Sequence, residues 1–226
     1  MTGLVGVPTM RSGVLNNPPQ GVRKLKIGIL GGTFDPVHLG HLIIAEETLS
    51  SLGLDRVIFV PAGDPWMKAG IPISPGPNRL AMVLAAVAGN PAFHVSPVEL
   101  DRNGPSYTVE TLEELQADYG AKSEYFFIIG SDALKDFGQW RNPERVLELC
   151  TLAVVGRPAQ ETFDLSLLES TLPAIGKRVV VVDGVTISVS ATDIRGRVAE
   201  GRSIRYLVPL GVESYIRAHG LYKEKK

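Results

Sequence analysis

Gly31-Gly32-Thr33-Phe34-Asp35-Pro36-Val37-His38-Leu39-Gly40-His41 is the stretch that decides how this chain is read. An apolar run, Lys26 to Leu30, precedes it, and a helical pattern follows. Strand, glycine-rich turn and helix in that order bring backbone N–H groups and the positive end of a helix to a phosphate. His38 and His41 fall where the helix begins, so the same segment supplies two imidazoles. Close backbone approach, a dipole and two ring donors together suit the charge of a nucleotide triphosphate.

Working outward, strand and helix patterns alternate to the end of the chain. Leu42, Ala45, Leu49 and Leu52 recur at helical spacing, with Glu46 and Glu47 on the polar side. Arg56 to Val60 reads as a second buried strand, ended by Pro61. The segment from Ala62 to Pro77 is rich in Pro and Gly, and loops of that length inside a domain tend to be functional. Asn78 is expected to cap a helix through Ala88. Phe93 to Val95, joined by Val98 to Leu100, is expected to be a third strand region. Tyr107 opens a helix to Tyr119, Tyr125 to Ile129 is a continuous apolar strand, and Gly130 ends it. Pro143 suits the first position of a helix to Leu149. Leu152 to Val155 and Arg178 to Val182 are further strands; Ser190 or Ala191 to Glu200 and Gly211 to His219 are helices.

This alternation predicts an α/β fold with a doubly wound, mostly parallel sheet in one domain. Ligands of such sheets bind beyond the carboxyl ends of the strands. The first glycine turn, the loop after Pro61 and the turn at Gly130 all follow strand ends, so they are expected to share one cleft. No internal repeat and no second core are expected. Residues 1–23 read as a flexible N-terminal extension and residues 24–226 as the domain.

The bulk properties narrow the function classes. The chain has 226 residues, 44% of them hydrophobic, enough for a sizeable core without disulfides or a structural metal. A net charge of −1 and a pI near 6.4 carry no nucleic-acid footprint. No apolar stretch is as long as a membrane span. The first 22 residues lack the basic start and apolar middle of a signal peptide. The single cysteine, Cys150, allows no internal disulfide and fits a reducing, cytoplasmic setting. It stands between Leu149 and the run Leu152 to Val155, which reads as a buried hydrophobe rather than a nucleophile.

Two other readings of the opening stretch fail on spacing. Gly28, Gly31 and Gly32 do not fit G-x-G-x-x-G, and no acidic residue closes the second strand as dinucleotide binding requires. Helical zinc pairs sit four apart, whereas His38 and His41 are three apart with no cysteine or carboxylate to complete a set.

Gly32 to His41 resembles the signature of the nucleotidyltransferases that carry H-x-G-H. Ser190-Ala191-Thr192-Asp193-Ile194-Arg195 resembles that family's second signature, I-S-x-T-x-x-R, with Val189 in the Ile position. Ser190 and Thr192 can cap a helix and donate to phosphate oxygens, and Arg195 lies one turn on. Pro105-Ser106-Tyr107-Thr108 resembles the segment that holds the pyridine carboxylate in nicotinate-mononucleotide adenylyltransferases. Ile128-Ile129-Gly130-Ser131-Asp132 resembles that group's adenosine turn, with Asp132 able to accept from a ribose hydroxyl. Trp140 stands where the group stacks an aromatic on the nicotinate, beside Arg141; Trp66 offers a second candidate. Where many relatives carry P-P-H-K, this chain has Asp64-Pro65-Trp66-Met67-Lys68, which keeps the lysine and lacks the histidine. Arg157-Pro158 also resembles the family, near the adenine.

The resemblance implies a Rossmann-like nucleotidyltransferase domain that transfers adenylyl from ATP to nicotinate mononucleotide, releasing pyrophosphate, in NAD biosynthesis. It implies catalytic roles for His38, His41, Lys68 and Arg195. ATP is expected at Gly31, Gly32, Thr33, Phe34, Gly130, Asp132, Arg157, Ser190 and Thr192, and the nicotinate nucleotide at Tyr107, Thr108, Trp140 and Arg141. Mg²⁺ is expected to arrive with ATP, held by phosphates and water, with no protein metal set; Asp35 reads as structural. Neither nucleic acid nor membrane is an expected partner, and self-association is compatible with the chain. The rival readings are a pantetheine-phosphate adenylyltransferase and a non-catalytic nucleotide-binding sensor.

Overall fold

A computed structural model of the chain describes residues 24–64, 73–156, 165–185 and 187–223. Six strands, β1 (Lys26–Gly32), β2 (Arg56–Pro61), β3 (Phe93–Val95), β4 (Glu124–Gly130), β5 (Thr151–Gly156) and β6 (Val179–Asp183), form one sheet in the order β3-β2-β1-β4-β5-β6. All five pairings are parallel. The central strands are near-continuous apolar runs because helices cover both faces. On one face Ile27, Ile29, Ile58, Phe127 and Ile129 pack with Leu112, Leu115 and Val146. On the other Phe59, Ile128 and Ala153 pack with Ala45, Met82, Val83 and Ile194. The doubly wound sheet is thus the expected one, with one core layer on each side.

The helices are α1 (Leu39–Leu52), α2 (Gly76–Val87), α3 (Val98–Asp101), α4 (Thr108–Tyr119), α5 (Ser131–Lys135), α6 (Pro143–Leu149), α7 (Ser166–Thr171), α8 (Ala191–Ala199) and α9 (Leu210–Ala218). Four of them differ from the sequence expectation. Val98 to Leu100 is not a strand but lies in the single turn of α3, too short a run for periodicity to tell the two apart. Helix α2 begins two residues before Asn78, with Pro75 as its cap and Pro77 in its first turn, where the missing N–H costs nothing. The five-residue α5 and the six-residue α7, neither of them expected, carry no readable period.

The strand order places a reversal between β1 and β4. The chain leaves β1 toward one side of the sheet and returns through β4 to the other, so a crevice opens at their carboxyl ends. Gly31, next to last in β1, and Gly130, the last residue of β4, are both exposed.

Candidate active site

Everything at this crevice starts from the turn after β1. Phe34 takes a left-handed backbone, φ 49°, which turns the chain sharply between strand and helix. Its ring is buried against Phe59 and meets the His41 ring edge-on at 5.0 Å. Burying that ring is what holds an otherwise unfavourable backbone in place. His38 caps α1 in an extended conformation, and its backbone N–H donates to His41 Nδ1 at 3.2 Å. The two imidazoles stack with centroids 3.7 Å apart, so both face the same space. Not all of the helix terminus is available to a ligand: the Leu39 N–H donates to the Leu207 carbonyl at 2.9 Å.

His38 is only 8% exposed, and its buried Nδ1 has no partner. Burial lowers its pKa to about 4, so the ring is neutral near pH 7. A neutral imidazole with an unmet nitrogen is a hydrogen-bonding group awaiting a counterpart.

The second signature folds onto the first. Ser190 caps α8, its Oγ accepting from the Asp193 N–H at 3.1 Å. The segment before it passes over α1: a Cβ on Gly40 would meet the His38 ring at 3.0 Å and the Val189 carbonyl at 4.0 Å. Arg195, one turn into α8, donates from Nη1 to the Asp35 carbonyl at 2.8 Å and from Nη2 to Thr192 Oγ1 at 3.3 Å. A guanidinium 160 residues away in sequence is thereby fixed to the turn that carries the histidines.

Two buried charges tie this turn to its surroundings, and sequence reasoning missed one of them. Arg79, 2% exposed, donates from Nη1 to the Thr33 carbonyl at 2.9 Å, from Nε to the Ser74 carbonyl at 2.9 Å and from Nη2 to the Gly63 carbonyl at 3.4 Å. Desolvation lowers its pKa, and the charge of Asp35 opposes that effect. Asp35 is the structural residue expected: Oδ2 accepts from the Ser74 N–H at 3.1 Å and Oδ1 from the Tyr222 hydroxyl at 2.6 Å.

The loop after β2 is anchored from the other side. Ser106 Oγ accepts from the N–H groups of Gly63 and Asp64, at 3.1 and 3.3 Å, and the Ser106 N–H donates to the Asp64 carbonyl at 2.9 Å. At Gly63 a Cβ would collide with the Glu99 carbonyl, so this close approach requires glycine. The Pro105 to Thr108 segment is therefore joined to the loop after β2 at the mouth of the crevice.

Beyond it, Tyr107 caps α4 and the Arg141 guanidinium lies 4.4 Å over its ring. Trp140 follows a short 3-10 turn, half-buried against Phe127 and Phe137, and its buried Nε1 has no partner. Trp140 is thus part of the core margin and also presents an unmet donor. Asp132 is exposed at the start of α5 and pairs with Lys135 at 3.1 Å. Lys68, Trp66 and Arg157 lie outside the described residues, as do residues 1–23. Cys150 is buried at 2% exposure with its thiol pushed up to about 12, as befits a core residue. Among the described residues no cluster of three or more His, Cys, Asp or Glu could hold a metal, and no helix is long and apolar enough to cross a membrane.

Comparison with known proteins bears on the family and the fold. Residues 29–197 match the cytidylyltransferase-like family. A protein of Roseiflexus sp. (strain RS-1) named "Probable nicotinate-nucleotide adenylyltransferase" is 49% identical over 197 residues, 87% of this chain and 98% of its own length. One of the same name from Salinispora arenicola (strain CNS-205) is 47% identical over 195 residues, 86% of this chain and 100% of its own length. The solved Plasmodium falciparum nicotinic acid mononucleotide adenylyltransferase complexed with NaAD shares the fold, with a TM-score of 0.68 at 19% identity, over 88% of this chain and 98% of that one.

Proposed function

The chain belongs to the cytidylyltransferase-like family and, within it, to the nicotinate-nucleotide adenylyltransferases, and from that premise we propose how its residues carry the reaction. The enzyme transfers the adenylyl group of ATP to nicotinate mononucleotide, giving nicotinate adenine dinucleotide and pyrophosphate in NAD biosynthesis. A phosphate oxygen of the mononucleotide attacks the α-phosphorus, the bond to the bridging oxygen breaks, and its electrons leave with pyrophosphate. The nucleophile is already an anion, so catalysis consists of positioning and charge stabilisation.

His38 and His41 donate to triphosphate oxygens from the start of α1. The approaching anion opposes the desolvation of His38 and favours its protonated form. Arg195, steadied on the Asp35 carbonyl, turns its other N–H groups to the departing pyrophosphate, and Lys68 assists from the loop after β2. Gly31, Gly32, Thr33 and Phe34 line the triphosphate; Ser190 and Thr192 stand beside it. Gly130, Asp132 and Arg157 receive the adenosine side. Mg²⁺ enters as the ATP complex; the Asp35 carboxylate, spent on Ser74 and Tyr222, is no ligand for it. The pyridine carboxylate lies at Thr108 and the start of α4, with Tyr107, Trp140 and Arg141 around the ring. We place the reaction in the cytoplasm, a setting that suits one buried thiol.

The observation that carries this reading is the 2.8 Å bond from Arg195 to Asp35, which brings the two signatures to one place. Pyrophosphate release from Mg–ATP, measured with nicotinate mononucleotide, its amide analogue and phosphopantetheine, tests it. The acid mononucleotide is expected to give the highest kcat/KM. Preference for phosphopantetheine would make the enzyme a pantetheine-phosphate adenylyltransferase, and release with none of the three would leave a nucleotide sensor.

A further inference from the structure

The C-terminal end of the chain reaches the catalytic turn. After α9 the Leu221 N–H donates back to the Ile216 carbonyl at 3.1 Å, and Tyr222 takes a left-handed backbone, φ 63°. The reversal directs its side chain into the protein, where the hydroxyl donates to Asp35 Oδ1 at 2.6 Å and lies 3.9 Å from Met82 Sδ. The partner is 187 residues away in sequence.

The position of Asp35 gives the contact a consequence. Its carbonyl accepts from Arg195, while the residue is buried at 5% exposure and its carboxylate is met by Ser74 and Tyr222. A buried carboxylate deprived of one donor turns to the nearest cation. Two cations adjoin it: Arg79, committed to three carbonyls, and Arg195. If Arg195 swung from the Asp35 carbonyl to the carboxylate, its charge would be spent inside the protein.

We propose that Tyr222 is a positioning residue: by occupying the Asp35 carboxylate it keeps the Arg195 guanidinium on the Asp35 carbonyl, with its charge directed at the triphosphate. Burial and the neighbouring Asp35 push the Tyr222 hydroxyl far up, so it remains a donor throughout the working pH range. The inference rests on the assignment of Arg195 to the departing pyrophosphate.

Tyr222→Phe removes one hydroxyl and little volume. It is expected to lower kcat/KM for ATP about tenfold, the size of a lost hydrogen bond to a charged group, while KM for nicotinate mononucleotide changes less than about twofold. Affinity for pyrophosphate, measured by calorimetry without the acceptor, falls in parallel. Tyr215→Phe is the matched control: it loses a hydroxyl bond to Asn78 Oδ1 (3.1 Å) from the same end of the chain, and lowers Tm without changing kcat. In an Arg195→Lys background the Tyr222→Phe change costs less than about twofold, because the guanidinium it steadied is gone. Unchanged ATP kinetics and pyrophosphate affinity in Tyr222→Phe would overturn the proposal. So would an equal loss in the Arg195→Lys background or in Tyr215→Phe. If the wild-type protein failed to adenylylate nicotinate mononucleotide, the functional reading would fall instead, and pyrophosphate affinity would still decide the role of Tyr222.

Discussion

His38 stacks on His41 with its buried Nδ1 unmet, and burial alone lowers its pKa to about 4. In an unfolded chain an imidazole titrates near 6.5. Between these values the unfolded chain holds the proton and the folded one does not. The stability tied to His38 is therefore complete above pH ~6.5 and is lost as the pH falls toward 4, by up to about 3 kcal/mol. Urea unfolding at pH 7 and pH 4.5 is expected to show a smaller difference for His38→Asn than for the wild type. His94, also lowered by burial, is present in both proteins and cancels. His41→Ala is expected to lower kcat by about 10²–10³, in keeping with the loss of one preorganised donor, and to keep the fold by circular dichroism. Turnover near that of the wild type would remove His41 from the chemistry. The histidines were legible because their spacing and the strand before them are local. Arg79 was not: its acceptors are 5, 16 and 46 residues away, and on the sequence it is one more arginine on a helix.

At the scale of elements, Gly63 and Asp64, just after β2, are held by neighbouring elements. Gly63 lies against the Glu99 carbonyl of α3, and Ser106 accepts from the two N–H groups at positions 63 and 64. Gly63→Ala is expected to push the loop off both contacts, with a loss of about 1–3 kcal/mol in stability. Because Ser106 precedes the residues assigned to the pyridine ring, KM for nicotinate mononucleotide should rise several-fold while KM for ATP changes little. Equal effects on both substrates would separate this loop from the acceptor side. The strands that carry the turns could be read from sequence, since a buried parallel strand is a short apolar run. Helix α3 could not, because four residues hold no period. The start of α2 was misplaced because Asn78 looks like a cap, whereas the preceding Gly76-Pro77 already follows the helix.

For the whole molecule, the decisive property is the sheet order, which puts the ends of β1 and β4 side by side at the reversal. Alternation of strands and helices implied a doubly wound parallel sheet with its ligand site at the carboxyl ends of the strands, and left the strand order itself open. What the pattern also could not supply is how α8 and the C-terminal residues come back onto the first turn, since Arg195 and Tyr222 meet Asp35 across 160 and 187 residues. A ligand spanning the crevice should stabilise all of these segments together. Mg–ATP at about 100 times its Kd is expected to raise Tm by roughly 5–10 °C. The measurement that bears most directly on the account is a crystal structure with Mg²⁺ and a non-hydrolysable ATP analogue. The account predicts phosphate oxygens within hydrogen-bond distance of His38, His41 and Arg195 at once. A triphosphate lying elsewhere, or touching the histidines with Arg195 turned away, would contradict it.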